Sequence, residues 1–522
     1  MNSRTLLIAA TIAIAFTAVT SGLAQTTQTG ASVVQSQQDR SAGTLAAQAV
    51  ILPKGSHAIF KEHRVRRLPP LPPAPKGKSA ATPNIAQSTA TTTLKVSTPV
   101  AFRGISDGVG YKVDAAPSDT SGAIGSTQYV QWVNEAVQIF DRNGVSQYGP
   151  TLGRSLWKGF GGPCEKNNDG DPIVQYDKVA NRWILSQFAV ADGPPFFECI
   201  AVSLTDDATG SYFRYGYAFD AFNDYPKFGI WPDGYYVTFN MFDTDDNPIG
   251  AKICALPKDK MLTGAAAPMQ CFDVAEFGLL PADLDGTTPP PAGAPEVLIA
   301  MTTNGLKLWK LDADFSDATK STLTGPTKIA VAPFNTACPS GACIPQKGTT
   351  GKLDALGDRL MYRLAYRNFG DHDSLIVTHA IDVSGSKGSA LRWYEIRNPF
   401  TTPTLAQQAT YVPGTSGRWL GSGAMDKKGN LLVGYTASST SMFPSIMFAG
   451  RGADDPAGKL SKEVVGVAGT KSQADVERWG DYSSMSIDPT DDCTFWFTTE
   501  VMEQSHKAWQ TSVVHTKFAN CS

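Results

Sequence analysis

From about residue 96 onward, apolar and polar positions alternate in short runs set off by Gly, Pro, Asn and Asp, a strand-and-turn pattern with no helical period. The runs come in pairs. Gly170–Tyr176 precedes Arg182–Gln187, Asp224–Trp231 precedes Tyr235–Asn240, and Gly357–Tyr362 precedes Ser374–His379. Leu420–Met425 with Leu431–Tyr435, and Gly480–Met485 with Phe495–Thr499, give two more clear copies. Each copy is a small polar opener, a strand, a turn, and a more apolar strand ending in polar residues. An earlier copy runs through Asp119–Gly125, Gln128–Asn134 and Val137–Phe140, and a degenerate one lies at Glu296–Met301 and Leu306–Trp309. A hairpin repeated about every 60 residues predicts an all-β fold, a single β-propeller of about seven blades. Val100–Phe102 is expected to add a strand to the last blade and close the ring.

Two segments precede the repeats. Residues 1–24 carry Arg4, an apolar run Leu6–Val19 and small residues before Ala24, the layout of a secretory signal peptide and too short for a good membrane span. Residues 25–96 are rich in Thr, Ser, Ala and Gln, and include Arg64-Val-Arg-Arg-Leu-Pro-Pro-Leu-Pro-Pro-Ala-Pro75. Such a segment buries little apolar surface, so it is expected to be a flexible leader, with residues 97–522 forming the propeller. Inserts at Asn335–Lys352, Pro281–Pro295 and Ser439–Lys471 are expected as rim loops.

Eight cysteines, all after residue 160, fit an oxidising compartment and an extracellular or periplasmic protein. Proximity suggests Cys164–Cys199, Cys254–Cys271, Cys338–Cys343 and Cys493–Cys521, although sequence alone leaves the connectivity open. The chain has 45 basic and 48 acidic side chains, with no basic face to neutralise a phosphate backbone, which argues against nucleic acid. A soluble monomer with no membrane span after signal removal is the expectation.

In an antiparallel hairpin the start of the first strand lies beside the end of the second. The openers Asp171, Asp224, Asp358 and Asp481 should therefore share one rim with Gln187, Asn240, His379, Tyr435 and Glu500, joined by Arg359, Arg418 and Arg478. Carboxylates, guanidiniums, amides and one imidazole around a funnel suit a polyhydroxylated or acidic ligand. If a bond is cleaved, Asp358, Asp481 and Glu500 are the candidate acids and bases and His379 the alternative proton carrier. Arg359, Arg418, Arg478, Gln187, Asn240 and Tyr435 would bind ligand. A structural duty competes with this. An Asp that recurs blade after blade can bond turn amides and hold blades in register. Trp419 and Trp479, each preceded by an Arg, are expected to wedge between blades. Acceptors alternate along Asn167–Asp171 and Asp243–Asn247, so Asn167, Asp169 and Asp171 could hold calcium, although neither run has the complete EF-hand pattern. Gly-x-Ser-x-Gly, His-Glu-x-x-His and nucleotide-binding Gly-rich motifs are absent.

The segments Gly159–Pro172, Arg359–Asp371 and Arg478–Met485 resemble a family of secreted bacterial β-propeller proteins, largely without an assigned activity. The resemblance spans about Asp119 to Cys521 and implies the fold and export rather than a reaction. More remotely the chain is similar to sialidase-like propellers, some of which act on glycans. It lacks their Ser-x-Asp-x-Gly-x-Thr-Trp repeat, so no site residue transfers. Two functions follow as expectations: binding, with or without cleavage, of an extracellular carbohydrate or other polar polymer in the funnel, or a non-enzymatic surface module that binds protein through rim loops.

Overall fold

A computed structural model describes residues 25–50, 61–62, 66–71, 85–106, 115–302, 304–383, 388–503 and 509–522. The signal-peptide expectation, residues 1–24, lies outside the described residues. No helix among them is long and apolar enough to cross a membrane.

The repeated hairpins become sheets whose strands run in chain order from the inside outward. The first holds Ser121–Ile124, Gln128–Val133, Ala136–Asp141 and Ser146–Leu152. The second to sixth begin with the inner strands Gly170–Asp177, Phe222–Ile230, Leu280–Leu284, Met361–Asn368 and Gly417–Met425. A seventh holds Ser484–Ile487, Thr494–Val501 and Gln510–Lys517, completed by Val100–Arg103 from ahead of the first sheet. Inner strands of successive sheets touch in order, and that of the seventh touches that of the first, so the sheets close a ring about one axis. The fold is an all-β propeller. The fourth and fifth sheets are joined further, Ala282–Leu284 pairing in parallel with Leu364–Tyr366.

Most strand residues are buried on both faces, because each sheet is covered by its neighbours. Trp419 and Trp479 meet edge to face at 6.0 Å between the sixth and seventh sheets, the wedging expected of them. All four disulfides join the cysteines that proximity suggested. Cys254–Cys271 links directly paired residues of adjacent strands, and Cys493–Cys521 fastens the C-terminus.

The leader departs from expectation. Thr26–Thr29, Ser32–Val34 and Ser36–Arg40 add fifth strands to the outer edges of the fourth, third and second sheets. Ala86–Gln87 extends the fifth sheet. Asp39 receives two hydrogen bonds from Arg214, at 2.8 and 2.6 Å, and Leu45 is buried. A Thr/Gln-rich segment does this because an outer edge offers unpaired backbone groups and needs no apolar side chain in return. All three expected rim loops also contain strands, in Asn335–Lys352 only the short pair Ile344–Pro345 and Lys352–Leu353. Pro281–Leu284 belongs to the inner strand of the fourth sheet, and Met442–Arg451 and Val464–Val467 are the outer strands of the sixth.

Candidate functional site

The openers gather at one end of the axis, and their local backbone explains why. Asp119, Asp171, Tyr225, Leu356 and Leu420 sit at positive φ, between 43° and 57°, where the chain turns sharply into an inner strand. Several N–H groups at these sheet entrances reach a side chain of a neighbouring sheet. Asp119 accepts the Asp481 N–H at 2.7 Å, Asn134 the Asp171 N–H at 3.0 Å, Asp171 the Tyr225 N–H at 3.0 Å, and Asn240 the Gly278 N–H at 2.8 Å. These side-chain-to-backbone bonds stitch sheet to sheet, which is the structural duty that competed with a ligand role for the Asp set.

Within this circle lies a group that sequence reasoning missed. Lys227 is fully buried, with Nζ 3.5 Å from the Tyr225 ring centre and 3.9 Å from that of Tyr482. It donates to the Pro226 carbonyl at 2.8 Å and feels Asp171, Asp119 and Asp224. Burial outweighs those carboxylates and draws its ammonium down to about 7. Burial, then the neighbouring Asp224, pushes the Asp171 carboxyl up to about 7. Asp224 is also raised by burial, against the pull of Arg359 and Arg66, and Glu198 is raised well above the carboxylate range. Lys227 was findable: just after its opening turn it stands where the second sheet has Ile173 and the seventh has Ser484.

Around this cluster is a mouth. Asp358 accepts from Arg359 Nε at 2.8 Å, and Arg359 also lies 4.6 Å from the Tyr225 ring. Burial raises the Asp358 carboxyl, but Arg359 and hydrogen bonds outweigh it and hold it below its usual value. Arg478 is bonded to Asp481. Phe188, Phe196, Phe222 and Phe242, from the second and third sheets, form an aromatic cup with Phe277 beside them. Leader residues Arg66–Leu71 lie across it, and Leu68 is buried in the cup.

The other predicted residues do not join as a single site. His379 faces the connection after the fourth sheet, 4.5 Å from the Phe334 ring and stacked on Tyr394, whose hydroxyl is 3.0 Å from Nε2. Burial, with Arg392 nearby, drops its pKa well below the usual imidazole value, so it is neutral. The neighbouring Thr378 bonds Gly421 of the sixth sheet, and strand alternation turns His379 the opposite way. Arg418 is spent on Glu463, at 2.7 and 3.0 Å, and on the Ser416 and Pro413 carbonyls. Tyr435 donates to the same Glu463. Glu500 lies near Asp119 but is buried, accepts from Ser118 at 2.9 Å, and is raised well above the carboxylate range by burial. Gln187 is buried and donates to the Asn167 carbonyl.

Calcium is not supported by these acceptors. Asp169 accepts the Val190 and Ala191 N–H groups, Asn167 turns to Asp192, and Asp171 serves Tyr225. Asp243 caps its own turn through Asp245 and Asn247. Among the described residues no group of three or more His, Cys, Asp or Glu is placed to hold a metal.

The axis is not an open channel. At its waist Arg363 donates to Asp283 at 2.8 Å, Asp285 at 2.5 Å and the Met485 carbonyl at 2.7 Å, and Lys178 reaches Asp285 at 3.2 Å. About 20 Å³ of open space remains there, room for about one water. Among the described residues these ion pairs therefore narrow the expected funnel at its waist.

No protein-family model matches the chain, and no curated protein does. Among solved structures it is similar to the Dos1 propeller, with 10% identity, 79% of this chain and 81% of that one covered, and a TM-score of 0.37. It is also similar to the polysaccharide lyase Uly1, with 10% identity, coverage of 81% and 100%, and a TM-score of 0.36. A thermostable family-43 glycoside hydrolase matches at 12% identity, coverage of 66% and 88%, and a TM-score of 0.28.

Proposed function

We propose that this chain is an exported propeller that binds a polar polymer, carbohydrate or protein, at the opener-side mouth of its axis, and that binding rather than bond cleavage is its role. One observation carries the reading: carboxylates from several sheets meet an aromatic cup at that single end of the ring. The cup is buried with Leu68 in it, so where Arg66–Leu71 moves aside it offers acceptors and apolar faces together, the usual make-up of a ligand site. The four disulfides support an oxidising location outside the cytoplasm.

Cleavage of a glycosidic bond calls for two carboxyl groups flanking one bond. Asp358 and Asp481 are held by Arg359 and Arg478, Glu500 is buried against Ser118, and His379 lies elsewhere. The test is binding of the purified mature chain to polysaccharide and peptide panels, with Phe222→Ala and Asp224→Asn alongside. Saturable binding weakened by both variants supports the mouth. Binding to no polymer, or binding that both variants leave unchanged, refutes it.

A further inference from the structure

We propose that the mouth is a docking site for an extended protein segment of Arg-Arg-Leu-Pro character, and that Arg66–Leu71 is its internal occupant. The inference rests on the mouth being the ligand site and names the ligand class.

The mouth reads both a main chain and its side chains. Asp358 accepts the Leu68 N–H at 3.3 Å, and Arg359 donates to the Arg66 carbonyl at 3.3 Å. A donor and an acceptor serving one stretch of backbone, spaced as a main-chain N–H and C=O two residues apart, suit an extended peptide. Arg66 lies 4.1 Å over the Phe222 ring and bonds Asp246 at 3.2 Å. Arg67 bonds Asp354 at 2.8 Å, and Leu68 fills the phenylalanine cup. Three carboxylates, Asp246, Asp354 and Asp358, thus face two guanidiniums and one backbone amide. Pro69 and Pro70 stay exposed and favour an extended strap, which lowers the entropy lost on docking.

The hold is built for exchange. Arg66 and Asp246 are 36% and 52% exposed, and exposed pairs contribute little. Attachment rests mainly on one leucine and two backbone bonds. A tethered strap competes at an effective concentration of about millimolar, so an outside segment of the same character meets a mostly occupied site.

The test uses an N-acetylated, C-amidated peptide of residues 66–71, fluorescently labelled and titrated by polarisation against the full mature chain. Leu68→Asp in the chain should expel the strap and tighten peptide binding by at least about tenfold, since the apparent Kd scales inversely with the open fraction. Adding Phe222→Ala should reverse most of that gain, and a peptide carrying Leu68→Asp should not bind. Arg66→Ala with Arg67→Ala in the chain is a second way to loosen the strap. Intrinsic tryptophan fluorescence checks that each variant is folded. Equal peptide affinity for wild type and both strap variants, or for the variant with Phe222→Ala, overturns the proposal. A polysaccharide panel on the same Leu68→Asp chain separates the failures. Polysaccharide binding without peptide binding sinks the peptide and leaves the mouth, whereas binding of neither sinks both.

Discussion

The two levels of the axis use the same ingredients to opposite ends. At the waist Arg363 meets Asp283, Asp285 and a backbone carbonyl, so each charge has a close, directed partner. Burial raises the Asp285 carboxyl, but Arg363 and Lys178 outweigh it and hold it below its usual value. At the mouth Lys227 has a carbonyl and two aromatic faces, while its carboxylates act across space and are committed to backbone amides. There burial draws both Asp171 and Lys227 toward neutrality, whereas at the waist it raises Asp283 but leaves Asp285 held in its charged form. Closely paired charges lock a structure; loosely paired ones leave protonation and occupancy open. The waist therefore reads as a clasp and the mouth as its more loosely paired counterpart.

The largest expected effect is at the clasp. Arg363→Ala removes the ion-pair partner of buried Asp283 and leaves Asp285 with Lys178 alone, and should cost about 3–5 kcal/mol, measured by urea unfolding at neutral pH. A cost under about 1 kcal/mol, typical of exposed pairs, would erase the contrast between the two levels.

Much of this contrast could be anticipated from sequence, and the rest could not, for physical reasons. The hairpin repeat and near-neighbour cysteines are local patterns, so both carried into the structure. Asp171, Asp224, Asp358 and Asp481 could be brought to one end because equivalent repeat positions meet around an axis. His379 could not be placed, since a one-residue offset in a strand reverses the facing of a side chain. The leader strands were invisible because edge pairing uses backbone groups that every sequence has. Arg66–Leu68 looked like linker, although its basic and apolar residues complement a surface assembled from three distant sheets.

A second way to sharpen the comparison is pH. Glu500 and Glu198 have raised pKa values, chiefly from burial, so each contributes stability that is full below about 4.5 and lost as pH rises toward its folded value. One such group contributes a slope of about 1.4 kcal/mol per pH unit across that window. Glu500→Gln should remove its share and flatten unfolding free energy between pH 4.5 and neutrality. His379 has the opposite sign: its pKa is depressed, so its contribution is present above about 6.5 and lost as pH falls. An unchanged profile in Glu500→Gln would mean that the buried carboxyl finds water or a cation in solution.

The smallest effect is expected from the most unusual residue. Lys227→Met replaces a buried ammonium with an apolar chain of similar length, and such exchanges are often neutral or stabilising. The variant loses two aromatic contacts but no longer buries a charge, so stability at pH 7 should move by about 1 kcal/mol or less. The sign of the change should depend on pH. A depressed lysine contributes stability that is full above about 10.5 and is lost as pH falls toward about 7, so the wild type gains on the variant across that interval as pH rises. Removing the ammonium also removes the force that lowers Asp171, which should then keep its proton to higher pH. Paired unfolding curves at pH 7 and pH 10 measure the difference. A loss at pH 7 as large as that of Arg363→Ala would make Lys227 a second clasp, and the mouth would then be as fixed as the waist.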